Sequence, residues 1–232
     1  MGFWEPFPVD RLLVEASLWS ADFTRFGEEI RRVDAYADLY HIDVSDGHFV
    51  PGLLFFADLL AGLRPLTNRP FHVHLMVDNP LAFIPDFIQA GANLITVHAE
   101  NGPLAFAALN MARQMGAACG LSLGLDVPPE QVLPFLDQIE VVLMMGTPMG
   151  VKGVEPSRLA ALRIQRLRQV IEGEGYSGKV KIAADGGIRP HTVPELRAAG
   201  ADLVIGGSLV FKSSDLEETF DWLYGLPSPA GG

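Results

Sequence analysis

The stretch Tyr40-His41-Ile42-Asp43-Val44-Ser45-Asp46-Gly47 has the pattern of a buried β-strand that ends in a polar turn. Because successive side chains of a strand point to opposite faces, His41 and Asp43 project to the same side. An imidazole and a carboxylate on one buried face need a partner, and both are common ligands of Zn²⁺ and related ions. The alternative is a buried His–Asp hydrogen bond without a metal.

The composition limits the classes of protein to which the chain can belong. It has 232 residues, 49% of them hydrophobic, enough for one large domain with a sizeable core. The formal net charge of −11 argues against nucleic acid or an anionic membrane surface as a partner. No run of about 18 apolar residues predicts a membrane span. The single cysteine, Cys119, excludes an intrachain disulfide, and the N-terminus lacks the features of a signal peptide, so we expect a cytoplasmic protein.

Short β-rich apolar runs alternate with longer segments of helical spacing. Strands are predicted at residues 12–18, 39–44, 70–76, 93–98, 117–123, 139–145, 179–184 and 200–205. Helices are predicted at residues 22–36, 56–63, 80–90, 103–115, 129–137, 157–172, 192–199 and 216–224. This alternation indicates a parallel sheet, and eight units predict a single (β/α)₈ TIM barrel of the α/β class over residues 1–226, with a flexible tail at 227–232.

A doubly wound open sheet is the alternative fold. It is disfavoured because Ser17-Leu18-Trp19-Ser20 stands where the glycine-rich turn after the first strand would be. At the N-terminus, the aromatic residues Phe3, Trp4 and Phe7 are predicted to be exposed and could belong to an interface.

Polar side chains gather at the C-terminal ends of the predicted strands, where a (β/α)₈ barrel has its active site. Besides His41 and Asp43, the third strand offers His74 and the seventh leads into Asp185. Two histidines and two aspartates from three strands could converge near the barrel axis and hold one divalent metal ion. Taken alone, His74 could be an ordinary core histidine and Asp185 a turn residue.

Two glycine-rich turns are predicted after the last two strands, at Gly186-Gly187 and Gly206-Gly207-Ser208. In many barrels the backbone N–H groups of these turns, and the N-terminus of a short extra helix, bind phosphate. The run Ser208-Leu209-Val210-Phe211 could form that helix. Each glycine pair alone could be a tight turn, but the two together favour a phosphate site, which would let an acidic protein hold an anionic substrate.

These motifs resemble the ribulose-phosphate 3-epimerase family over nearly the whole chain. The most specific matches are Ser20-Ala21-Asp22-Phe23, the run from His41 to Pro51, Val73-His74-Leu75-Met76-Val77, Ile95-Thr96-Val97-His98-Ala99-Glu100 and Asp185-Gly186-Gly187-Ile188. The resemblance implies a metal-dependent epimerase of carbohydrate metabolism that interconverts the pentose phosphates D-ribulose 5-phosphate and D-xylulose 5-phosphate. It also implies a homo-oligomer, either a dimer or a hexamer.

The resemblance implies roles for individual residues. One divalent ion, Zn²⁺, Fe²⁺, Mn²⁺ or Co²⁺, would be held by His41, Asp43, His74 and Asp185, and the two aspartates would also be the catalytic acid/base pair. The expected substrate-binding residues are Ser17, His74, Met76, Met144, Gly150, Lys152, Gly186, Gly187, Gly207 and Ser208.

The chain departs from the family pattern in the loop after the sixth strand. The family has Asn-Pro-Gly-Phe-Gly-Gly-Gln there, whereas this chain has Thr147-Pro148-Met149-Gly150-Val151-Lys152-Gly153. Met149 and Lys152 in place of glycines should change the shape and charge of the pocket. Lys152 is either a new phosphate or carboxylate contact or a solvated lysine. The substrate could therefore also be allulose 6-phosphate or a tetrulose phosphate.

Two other functions are weighed against the epimerase. A barrel decarboxylase would resemble an Asp-x-Lys-x-x-Asp pattern on the third strand, but His72-Val73-His74-Leu75-Met76-Val77 contains no lysine. A non-catalytic sugar-phosphate-binding barrel is disfavoured by the presence of both Asp43 and Asp185.

Overall fold

A computed structural model describes residues 2–228; the rest of the predicted tail, residues 229–232, lies outside the described residues. Eight parallel strands form a closed barrel in sequence order, and the last strand pairs with the first. The strands are β1 Leu13–Ser17, β2 Leu39–Ser45, β3 Phe71–Met76, β4 Leu94–His98, β5 Ala118–Leu123, β6 Val141–Met145, β7 Lys181–Asp185 and β8 Leu203–Gly206. The predicted (β/α)₈ barrel is confirmed, and the open sheet is excluded.

Helices connect the strands, as the alternating pattern predicts. They are α1 Phe26–Val33, α2 Ala57–Leu63, α3 Ile84–Gln89, α4 Pro103–Gln114, α5 Ala160–Gly173, α6 Val193–Ala198, α7 Ser208–Phe211 and α8 Leu216–Tyr224. The short helix expected at residues 208–211 is present as α7. The α-helix predicted at residues 129–137 is instead a 3₁₀ helix, Pro129–Gln138. Pro134 lies inside it, and a proline has no N–H and crowds the carbonyl four residues earlier, so an α-helix is disfavoured there.

Alternation along the strands sorts the side chains into two cores. Outward-facing residues such as Ile42 and Val73 pack under the helices. Inward-facing residues form a second apolar cluster inside the barrel, with Leu13, Leu39, Leu94, Val141, Leu143, Met145, Ala183, Leu203 and Ile205. This cluster supports polar side chains nearer the C-terminal end, where the site is built.

The N-terminal segment packs against the bottom of the barrel. Trp4 is only 8% exposed and joins the interior apolar cluster. Its indole N–H donates to the carbonyl oxygen of Glu140, 2.6 Å away, just before β6. The rings of Phe3 and Phe7 lie 4.7 and 5.4 Å from that of Trp4. The prediction of an exposed Trp4 is therefore wrong, because the open end of a barrel needs an apolar cover.

The last described residues are held against the barrel. Ser228 accepts a hydrogen bond from Arg197 at 3.2 Å and donates one to the carbonyl oxygen of Asp10 at 3.3 Å. Within residues 2–228, no helix has the length and apolar character needed to cross a membrane.

Candidate active site

The four predicted metal ligands converge at the C-terminal end of the barrel. One ligand atom from each of His41, Asp43, His74 and Asp185 lies within 4.8 Å of the other three. Asp43 Oδ1 is 3.3 Å from His41 Nε2 and 3.4 Å from His74 Nδ1. His74 Nδ1 is 3.9 Å from Asp185 Oδ2. The strand register explains the convergence, since Asp43 of β2 is level with His74 of β3.

The surroundings of His41 test whether this cluster fits a metal ion. His41 Nδ1 lies 2.8 Å from a carboxylate oxygen of Glu15, so Nδ1 donates and Nε2 faces the cluster. This Nε2 is buried and makes no hydrogen bond within residues 2–228, although Asp43 Oδ1 lies 3.3 Å away. A buried polar atom without a partner is costly, and a metal ion at the cluster would satisfy it. Two imidazoles and two carboxylates are a donor set that suits Zn²⁺, Fe²⁺, Mn²⁺ or Co²⁺.

A chain of hydrogen bonds from β4 orients His74. Glu100 accepts from His98 Nδ1 at 3.4 Å, and His98 Nε2 lies 2.8 Å from His74 Nε2. Burial is the main cause that lowers the pKa of His98 to about 4, so this ring is neutral at pH 7. His98 Nε2 therefore accepts the Nε2 proton of His74, which leaves His74 Nδ1 directed at the two aspartates.

The two carboxylates have opposite protonation preferences. Burial alone would raise the pKa of Asp43, but His41 and His74 outweigh burial and hold it well below its usual value. The pKa of Asp185 is raised, first by burial and then by the negative charge of Asp43. For a histidine the effect of burial has the opposite sign. Burial would lower the pKa of His41, but Asp43 and Glu15 raise it well above its usual value. Pairs of carboxylates whose pKa values are shifted in opposite directions are typical of acid/base catalysts.

A cavity of about 350 Å³ opens above the cluster, at the lower end of the range for small-molecule sites. Of the predicted substrate-binding residues, its lining includes Ser17, Met76, Gly150, Lys152, Gly186, Gly187, Gly207 and Ser208. Ser17 Oγ donates to Asp43 Oδ2 at 2.9 Å. His74 is fully buried beneath the cavity rather than in its lining.

The prediction of Met144 as a lining residue is wrong. Met144 belongs to the core under the helices, whereas Met145 belongs to the barrel interior and lines the cavity. Side chains alternate along β6, so an error of one position moves the side chain from one face of the sheet to the other.

The glycine turn after β7 needs residues without a side chain. Gly186 and Gly187 have φ values of +86° and +73°, which residues with a Cβ rarely adopt. A Cβ on Gly187 would also lie 2.7 Å from the backbone nitrogen of Pro156. The turn is therefore tightly packed against the loop that follows β6, and both line one end of the cavity.

Three cationic side chains line this cavity in a protein of negative net charge: Lys152, Arg189 and Lys212. Lys152 Nζ donates to the carbonyl oxygen of Trp19 at 2.5 Å and lies 5.5 Å from the Trp19 ring. Burial, and then the charge of Lys212, lower the pKa of Lys152. Arg189 reaches Ser208 Oγ at 3.4 Å. Lys152 is thus held against Trp19 in the cavity lining. Arg189 and Lys212 were not predicted from the sequence, although each follows a glycine-rich turn.

Glu15 was also missed. It is fully buried on β1, and its carboxylate contacts the Nδ1 atoms of His41 and His72. The available signal was an acidic residue between Val14 and Ala16 in an apolar strand, two positions before Ser17 and so on the same inward face.

Comparisons with known proteins show which family the whole chain resembles. The model of the ribulose-phosphate 3-epimerase family matches residues 13–211. Ribulose-phosphate 3-epimerase of Bacillus subtilis (strain 168) is 33% identical over 213 residues, which cover 91% of this chain and 98% of the relative. The ribulose-phosphate 3-epimerase of Treponema pallidum (strain Nichols) is 39% identical over 202 residues, covering 85% of this chain and 90% of the relative.

A solved structure shares the fold at low sequence identity. The orotidine 5'-phosphate decarboxylase from Pyrococcus horikoshii OT3 superposes with a TM-score of 0.62 and 15% identity, covering 91% of this chain and 97% of that chain. At this identity the likeness concerns the barrel alone.

Proposed function

The chain belongs to the ribulose-phosphate 3-epimerase family, whose members are isomerases, and on this premise we propose that it interconverts D-ribulose 5-phosphate and D-xylulose 5-phosphate with one divalent metal ion. The observation that carries the proposal is the placement of Asp43 and Asp185 in one buried cluster beneath a cavity of about 350 Å³.

The chemistry needs two groups that handle protons. Inversion at a carbon next to a carbonyl requires removal of its proton and return of a proton to the opposite face. On this proposal Asp43, whose pKa is lowered, accepts the proton, and Asp185, whose pKa is raised, delivers one. The roles exchange in the reverse direction. Ser17 donates to Asp43 and holds its carboxylate in one orientation.

The metal ion has one task in this proposal. Held by His41, Asp43, His74 and Asp185, it would supply positive charge for the oxygen atoms of the enediolate that forms when the proton leaves. The unpartnered His41 Nε2 supports this assignment.

The phosphate end of the substrate would lie at the rim of the cavity. The cavity lining contains small residues whose backbone N–H groups would bind the phosphate, namely Gly186, Gly187, Gly207 and Ser208. Lys152, Arg189 and Lys212 add positive charge at the same cavity, which compensates locally for the acidic protein.

The test is turnover with and without metal. The metal-depleted chain should epimerise ribulose 5-phosphate at a background rate, and Zn²⁺, Mn²⁺, Fe²⁺ or Co²⁺ should restore activity. Asp43→Asn and Asp185→Asn should each lower kcat by about 10³-fold or more in the metal-loaded protein. Asp58→Asn, on the exposed face of α2, is the matched control and should stay within about twofold. Full activity without metal, or in Asp185→Asn, would overturn the proposal.

The assay should include ketose phosphates of four and six carbons, because the changed loop at residues 147–153 lines the cavity. A homo-oligomer, either a dimer or a hexamer, stays a prediction that light scattering on the purified chain tests.

A further inference from the structure

Glu15 is a buried acid that neither the proposed proton transfer nor the proposed ligand set uses. It lies on β1 inside the barrel and is 0% exposed. Its Oε2 lies 2.8 Å from His41 Nδ1 and also 2.8 Å from His72 Nδ1. Its Oε1 lies 3.0 Å from His72 Nδ1. One carboxylate therefore joins two imidazole rings from neighbouring strands.

This network determines which nitrogen of each ring carries a proton. An ionised carboxylate can only accept hydrogen bonds, so the Nδ1 atoms of both His41 and His72 must donate. His72 Nε2 then accepts from Thr96 Oγ1, which lies 2.6 Å away. Both ring nitrogens of His72 thus have hydrogen-bond partners. At His41 the remaining nitrogen, Nε2, points to the cluster and makes no hydrogen bond within residues 2–228.

We propose that Glu15 is a positioning residue that makes His41 a metal ligand through Nε2. The inference rests on the proposed metal site and adds a residue to it. A histidine ligand binds a metal through one ring nitrogen and commonly donates its other N–H to a carboxylate, which holds the ring orientation and increases the basicity of the ligand. Without Glu15, His41 can turn about its χ2 angle or protonate Nε2 and donate to Asp43 Oδ1, which is 3.3 Å away. Both changes remove the lone pair from the metal position.

The alternative is that Glu15 only satisfies buried polar groups inside the barrel. The two roles differ in what they predict for metal affinity. A group that only stabilises the fold affects the unfolding transition and leaves the affinity of the folded protein for metal unchanged. A positioning residue weakens metal binding in a protein that is still folded.

The first experiment examines the wild-type protein, so it does not depend on a variant that folds. The ¹⁵N NMR spectrum of the zinc-loaded chain reports the protonation of each of its six histidine rings. The proposal predicts that His41 carries its proton on Nδ1 and binds zinc through Nε2. Zinc bound through His41 Nδ1, or a proton absent from that nitrogen, would overturn it.

The second experiment measures metal affinity in Glu15→Gln, which keeps the shape of the side chain and removes its charge. Zn²⁺ and Co²⁺ dissociation constants are obtained by competition with a chelator, and the Co²⁺ absorption bands report the ligand geometry. We expect the affinity of Glu15→Gln to fall by about 10- to 100-fold. Leu203→Ala, an interior change in the apolar cluster on β8, is the control for general destabilisation and should bind metal within about threefold of wild type.

The outcomes separate this inference from the proposed function. Equal metal affinity in folded Glu15→Gln and wild type, or equal losses in Glu15→Gln and Leu203→Ala, would overturn the positioning role and leave the epimerase proposal standing. A wild-type chain that binds neither Zn²⁺ nor Co²⁺ would overturn the metal site and the positioning role together.

Discussion

Replacing Trp4 by alanine should destabilise the barrel without affecting its chemistry. The side chain is 92% buried, since its exposed fraction is 8%, and it packs in the interior cluster below β6. Truncating a buried tryptophan to alanine costs about 3–5 kcal/mol. The indole hydrogen bond to Glu140, at 2.6 Å, contributes about 1 kcal/mol of that loss. Because small domains are stable by about 5–15 kcal/mol, Trp4→Ala should remain folded at 25 °C with a much lower urea midpoint.

The assay is urea unfolding followed by circular dichroism, with Trp4→Phe as the matched variant. Trp4→Phe keeps an aromatic ring and loses the hydrogen bond, so it should lose about 1–2 kcal/mol. Trp4 lies at the N-terminal end of the barrel and Asp43 at the C-terminal end, so kcat per folded molecule should not change. A loss below about 1 kcal/mol in Trp4→Ala would refute the buried role. A fall in kcat in the fully folded variant would refute the separation of stability from chemistry.

Three further outcomes are expected. Lys152→Met should raise KM for the ketose phosphate by about tenfold with little change in kcat. The reason is that the proposed charge-assisted hydrogen bond from Lys152 to the substrate phosphate is lost. The control is Lys179→Met, an exposed change near the start of β7, and an unchanged KM in Lys152→Met would remove that lysine from the substrate site. Ser17→Ala should lower kcat by about tenfold, since the hydrogen bond to Asp43 at 2.9 Å is lost; wild-type kcat would contradict the orienting role. Cys119 should react very slowly with iodoacetamide in the native protein, because burial raises the pKa of its thiol to about 11 and only about one molecule in 10³ carries the thiolate at pH 8. The same reaction in urea is the reference, and equal native and unfolded rates would show that the thiol is accessible.

Periodicity predicted most of the fold because each strand and helix carries its own pattern of apolar residues. The exceptions have local causes. Pro134 converts a segment with helical spacing into a 3₁₀ helix. The seventh strand begins two residues later than predicted, at Lys181, and extends to Asp185. Apolar runs give no sharp signal at strand ends, where hydrogen bonding to neighbouring strands decides the boundary.

The candidate site was predicted where a residue type and its strand position agree. His41 and Asp43 share a face by the period of two, and His74 and Asp185 were predicted from their positions at the ends of the third and seventh strands. The prediction of the lining methionine was wrong by one position, Met144 instead of Met145. Two adjacent methionines on β6 give no indication of which one faces inward.

The remaining parts of the site depend on contacts between distant segments. The position of Glu15 beside His41 depends on the pairing of β1 with β2, which sequence spacing does not describe. The contact between Lys152 and Trp19 joins residues 133 positions apart. Trp4 likewise reaches Glu140 across 136 positions, and only the closed barrel brings the two together.

The most direct test of the proposed reaction is proton exchange with solvent. The metal-loaded chain is incubated with D-ribulose 5-phosphate in D₂O, in parallel with four- and six-carbon ketose phosphates, and deuterium is followed by NMR. Two carboxylates at one buried cluster predict deuterium at C3 of the five-carbon sugar together with formation of xylulose 5-phosphate. The Asp185→Asn variant in the same experiment should form the epimer at least about 10³-fold more slowly. A metal-loaded wild-type chain that exchanges no proton at C3 of any of the three substrates would contradict the epimerase proposal.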